Sequence, residues 1–258
     1  MDAQPRSTRP ATRRFGRLIE RRDNADFPYY DGAPVRVSVG RWIIVWAACL
    51  AAFLVLSFIP QPNDIVALIP RALFTAIMLG ALIWATGPHW KAIFRRVAVR
   101  DIGLMILFAA LNYVVTLLVA LLVSTLFSTA TNTTVTSPAS DPLDLIALYL
   151  GVAIQLLGEE LLTVLPFLAL LHILTSRAHL TRTRAALLAW LITAAWFGLI
   201  HLPTYDWHLA QALLIIGAAR LVLTLAYIRT KNLWVSTGAH ILNDWALITL
   251  GTTTAALL

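Results

Sequence analysis

L-D-L-I-A-L-Y-L-G-V-A-I-Q-L-L-G-E-E-L-L-T-V-L-P-F-L-A-L-L-H-I-L, Leu143 to Leu174, is a long apolar run with two adjacent carboxylates, Glu159 and Glu160, set in its middle. About 20 residues of helix cross a bilayer core roughly 30 Å thick, so this run can span with residues to spare. A lone strand is excluded, because it cannot satisfy its backbone in lipid. The run therefore predicts a membrane helix. It is tilted, protrudes or breaks at Gly158 or Pro166, and the sequence leaves these open.

Working outward, the rest of the chain has the same character. Of 258 residues, 59% are hydrophobic and only 13% charged, with a mean hydropathy of +0.76. A soluble domain carries about a quarter charged residues. Apolar runs near 42–59, 65–87, 102–127, 143–174, 185–201, 209–228 and 234–251 predict an all-α, polytopic bundle of about seven spans in the cell membrane. Three parts are expected: an Arg-rich arm (1–41), N-terminal transmembrane helices (42–142) and a helical core (143–251).

Charge placement orients the bundle. The arm carries Arg6, Arg9, Arg13, Arg14, Arg17, Arg21, Arg22, Arg36 and Arg41, and reads as cytoplasmic and mobile, able to touch anionic headgroups. The first apolar run begins too far in for a cleaved signal peptide. Lys and Arg recur in 88–101, 175–184 and 229–233, whereas the alternate connections hold none. Basic loops stay in the cytoplasm, so the N-terminus is expected inside and Leu258 outside. With the charges placed so, the net +7 argues for lipid and against nucleic acid as a partner. The single cysteine, Cys49, excludes an internal disulfide and reads as a buried small hydrophobe.

Ionisable residues inside a span cost several kcal/mol and are functional candidates by default. Besides the two glutamates they are Arg71, His172, His201, Arg220, His240 and Asp244. Arg71 and His172 lie near span ends and can snorkel. His89, His179 and His208 fall in loops. Arg220 is deep in the sixth span, where an ion pair with Glu159 or Glu160 would hold it. Neighbours on a helix point about 100° apart, so one glutamate can face a cavity while the other supports it. His240 and Asp244 are four apart and share a helical face, bordered by Asn243. A carboxylate there would orient the imidazole. His201 follows Phe197 by one turn. With Tyr149, Trp190 and Trp234 as interfacial markers, 1.5 Å per residue puts Glu159 about 15 Å, His201 about 16 Å and His240 about 9 Å deep. They would then converge on one cavity open to the cytoplasmic half.

Glu159-Glu160 on one helix, Phe197 to His201 on the next and His240 to Asp244 two helices later resemble the motifs of the CPBP family. These are intramembrane proteases related to type II CAAX prenyl endopeptidases and to bacteriocin-processing or immunity proteins, also called the Abi family. The resemblance covers about 143–250. It departs at Val164, where the family's first motif, E-E-x-x-x-R, has arginine. It implies an endopeptidase acting on a peptide, or on a lipid-modified or membrane-anchored protein. Glu159 would activate water with Glu160 in support, His201 and His240 would serve as electrophiles or ligands, Asp244 and Asn243 would orient them, and Arg220 and Phe197 would support the site. Two chemistries stay open: a divalent metal such as zinc on Glu159, His201 and His240, or a metal-free Glu-activated water with His oxyanion donors. A non-catalytic membrane immunity or interaction protein on the same scaffold is the alternative, with a proton-coupled transporter behind it.

Overall fold

The computed structural model describes residues 14–16, 18–21, 25–130 and 141–257, with backbone only over 251–257. Arg6, Arg9, Arg13, Arg17 and Arg22 of the expected arm, most of the Ser/Thr-rich connection (131–140) and Leu258 lie outside these. The described residues form seven long α-helices: α1 (Val39–Phe58), α2 (Asp64–Thr86), α3 (Val99–Leu126), α4 (Pro142–Ser176), α5 (Arg182–Ile200), α6 (Gly217–Thr230) and α7 (Leu233–Leu257). A π-helical stretch, Gln211–Ile216, leads into α6. Six helical segments among the described residues are long and apolar enough to cross a membrane, α6 only together with its π-helical lead as Gln211–Thr230; α7 has 25 residues and carries His240, Asn243 and Asp244. Residues such as Ile43, Leu54, Ile106, Leu118 and Ile146 remain exposed along the helix flanks, as surfaces facing hydrocarbon must. The chain is a multi-pass membrane protein.

Local chemistry sets the helix starts. Asn63 accepts from the Val66 amide at 2.9 Å. Asp141 accepts from the Leu143 and Asp144 amides at 2.8 and 2.9 Å, followed by Pro142 in the first turn. Each pairing satisfies amides that no helical carbonyl can reach. Helix α4 runs unbroken through Gly158 and Pro166, 35 residues in all, so the break left open by the sequence does not occur.

Five helices form a ring, each packed on the next: α4, α5, α6 with its π-helical lead, α3 and α7, which returns to α4. Helices α1 and α2 pack outside the ring on α4. Gly158 permits a close approach of α2 to α4. A Cβ there would sit 2.5 Å from the Phe74 ring and 2.6 Å from Thr75 Oγ1. Thr75 in turn donates to the Ile154 carbonyl at 2.7 Å.

The basic loops gather at one end. Arg95 donates to the Thr230 carbonyl at 3.0 Å, and its backbone amide donates to Asn232 Oδ1 at 3.0 Å. The arm departs from expectation here. Phe27, Tyr29, Tyr30 and Val37 are buried, and His172 meets the Tyr30 carbonyl at 3.0 Å instead of a headgroup. Buried Glu20 pairs with Arg182 at 2.7 Å and with Lys231, while Asp26 pairs with Arg182 at 2.5 Å. The reason is charge: two cations drawn under the bundle need carboxylates, and the arm supplies them. Burial alone would raise the Glu20 carboxyl, but hydrogen bonds from Arg182 and Lys231 outweigh it and hold it below the ordinary value. Burial pushes the Lys231 amine down to about 8, against the pull of Glu20.

A carboxyl depressed in the fold adds stability above its unfolded value of about 4.3, and that stability is lost as pH falls through the folded value. Acidification below about pH 4 should therefore release the arm. Glu20→Gln should lower stability by about 1–3 kcal/mol at neutral pH by leaving Lys231 without its carboxylate. Limited proteolysis of residues 14–38 in detergent checks both outcomes; an arm equally protected in wild type and variant would contradict them.

Candidate active site

The ring encloses a cavity of about 520 Å³. Glu159, His201, Arg220, His240, Asn243 and Asp244 all line it, as does Phe197. Glu160 is fully buried behind the wall. The two glutamates thus divide as their 100° offset requires.

Glu159 accepts from Gln155 Nε2 at 2.8 Å, one turn earlier on α4. Its Oε2 lies 3.9 Å from His240 Nε2, and Asp244 Oδ1 lies 3.8 Å from the same nitrogen. The other ring nitrogen of His240, Nδ1, meets Glu160 Oε1 at 3.0 Å. Glu160 also pairs with Arg220, whose side chain is fully buried. The Arg220 guanidinium sits 4.8 Å over the Phe197 ring and leaves Nε and Nη1 without a partner.

Several expectations are thereby revised. The close hydrogen bond of the His240 ring runs to Glu160 on α4, whereas Asp244, which accepts from Asn243 Nδ2 at 2.9 Å, stays 3.8 Å from Nε2, beyond hydrogen-bond reach. His201 does not lie within a helix. It caps α5, its Nδ1 donating to the Phe197 carbonyl at 2.8 Å and its ring against Phe197 at 4.4 Å. Val164 is buried in the apolar core. The charge that the motif places there comes from Arg220, two helices on. Arg71 is buried and faces Asp64 at 3.6 Å instead of reaching headgroups.

The direction of opening is also reversed. Beyond the ionisable set, the lining runs along Thr116, Leu121 and Ser124 of α3, Val152 of α4, Thr204 and Gln211, and Leu247 of α7. All lie toward the helix ends away from the basic loops. Trp190 is no interfacial anchor from which depth can be counted: its indole donates to the Leu221 carbonyl at 3.0 Å between helices. At the mouth, Gln211 grips Ala130 by two hydrogen bonds of 2.8 Å.

Three amides went unremarked in the sequence: Asn112, Gln155 and Gln211. Neutral amides in apolar runs cost less than charges and stand out less. The available signal was position, since Gln155 is one turn from Glu159 and Asn112 is polar in the middle of α3.

Among the described residues, no group of three or more His, Cys, Asp and Glu side chains is arranged to hold a metal ion. Glu159, His201 and His240 share the cavity without forming such a set.

Neither the curated proteins nor the solved structures compared with this chain give a match. The family comparison does: residues 141–246 match Type II CAAX prenyl endopeptidase Rce1-like. This segment supplies α4 to α6 and the first half of α7, with every ionisable residue of the cavity. By motif order and by this match, residues 141–246 are similar to the Rce1-like type II CAAX prenyl endopeptidases.

Proposed function

We propose that the chain is an endopeptidase that cuts a peptide bond inside the ring by a water activated on Glu159. The carrying observation is the 3.9 Å separation of Glu159 Oε2 and His240 Nε2 on the cavity wall. That gap is too long for a direct hydrogen bond and suits a bridging water. Glu159 takes a proton from this water as the oxygen attacks the substrate carbonyl carbon. The carbonyl oxygen becomes an oxyanion beside Arg220, whose partnerless N–H groups can donate to it. Glu159 then passes its proton to the departing nitrogen, the C–N bond breaks, and a carboxyl and an amine leave. Glu160 accepts from His240 Nδ1–H and so turns Nε2 to the water. His201, fixed by the Phe197 carbonyl, presents its free nitrogen to the same cavity. The substrate is a peptide segment of a membrane-anchored or lipid-modified protein.

Cleavage of a membrane-anchored reporter peptide in proteoliposomes tests the reading. His240→Gln and His201→Ala should each reduce the rate by about 10²–10⁴. Asp244→Asn should cost less, since Glu160 holds the ring. Chelator should leave the rate unchanged. Activity lost to chelator and restored by zinc would overturn the side-chain mechanism, and no cleavage of any peptide would remove the reading.

A further inference from the structure

We infer that this site is entered only from the face opposite the basic loops, so that its substrates are segments presented outside the cytoplasm. The inference rests on the proposed endopeptidase for what is cut, but not for the direction of access. Two independent features carry it. First, the cavity extends from Glu159 to an exposed mouth at Ser124 and Thr204, and no Lys or Arg lies in the connections there. Second, the opposite end is sealed. Below Glu160 the α4 residues Leu161 to Ala169 are buried without interruption.

Under them the arm inserts Phe27, edge-on to Phe167 with ring centroids 5.2 Å apart and tilted against Tyr227 at 6.2 Å. Arg182 and Lys231 flank that ring at 4.8 and 4.4 Å. The buried carboxylate of Glu20 ties both cations to the arm. A chain entering from this end would have to displace an aromatic plug and a buried ion network together. Basic loops face the cytoplasm, so the open end faces away from it. The fitting substrate is an extended polypeptide on the outer side of its membrane anchor, such as an exported segment.

In a Cys49→Ala background, Ser124→Cys, Thr204→Cys and Arg177→Cys are treated with a membrane-impermeant maleimide on intact cells and on inverted vesicles. The expected result is reaction of positions 124 and 204 only in intact cells, and of 177 only in inverted vesicles. Reaction of 124 and 204 only in inverted vesicles overturns the inference, whether or not any peptide is cut. A second measurement addresses the substrate: one anchored reporter peptide is displayed on the outer or the cytoplasmic side. Cleavage on the outer side alone is expected. Cleavage on the cytoplasmic side would sink the inference while leaving the endopeptidase standing. Absence of cleavage on both sides would count against the endopeptidase alone, with the labelling then deciding access.

Discussion

Glu159→Gln is expected to abolish detectable cleavage while leaving the protein folded and inserted. The substitution keeps side-chain volume and an oxygen that can still accept from Gln155 Nε2, now at 2.8 Å. What it removes is the ability to take a proton from water. General-base assistance is worth about 10²–10⁴ in rate, so turnover of the membrane-anchored peptide should fall by at least that factor. Thermal unfolding in detergent should shift little, because Glu159 lines a cavity and Arg220 pairs with Glu160 instead. A variant that retains a tenth or more of wild-type activity would show that Glu159 is not the base. The same measurement on Glu160→Gln separates the neighbours. That change weakens the hold on His240 and Arg220 and should lower both stability and rate.

Arg220→Met is expected to destabilise the protein by about 3–5 kcal/mol, the range for removing one partner of a buried pair. Glu160 is fully buried, and its remaining hydrogen-bond partner would be the His240 ring. The cost comes from the stranded carboxylate more than from the lost attraction. The double variant Glu160→Met, Arg220→Met should therefore recover most of the stability, since replacing both charges by apolar groups of similar size is often neutral. It should not recover cleavage, because the oxyanion donor and the group fixing His240 are both gone. Unfolding midpoints of the two single variants and the double variant form the test. Equal stability of Arg220→Met and wild type would mean that the ion pair does not hold α4 to α6.

The division between chain and fold is plain in particular residues. The helices were legible because hydrocarbon demands long apolar runs, and each predicted span lies within a few residues of a helix. The glutamates, histidines and Arg220 were legible because a charge in lipid is costly wherever its helix packs. The described part of the arm departs from its reading as mobile. Its arginines dominate the composition, whereas Glu20, Asp26 and Phe27, which fix it beneath the bundle, are few and acquire meaning only against Arg182 and Lys231.

Partnership was what the sequence left open. Val164 leaves the motif without its cation, and nothing in the spacing says whether Glu159 or Glu160 receives Arg220. Nor does spacing show that Glu160, 80 residues away, makes the closest polar contact with the His240 ring, at 3.0 Å. The end at which the cavity opens was lost as well, because depth counted along single helices ignores which helices form the ring and what plugs it. Sequence by itself determined that charges lie in the membrane, since desolvation cost belongs to each side chain. Only the tertiary structure decided their pairing and their access to water, since Coulomb attraction and burial depend on distances set by helix packing.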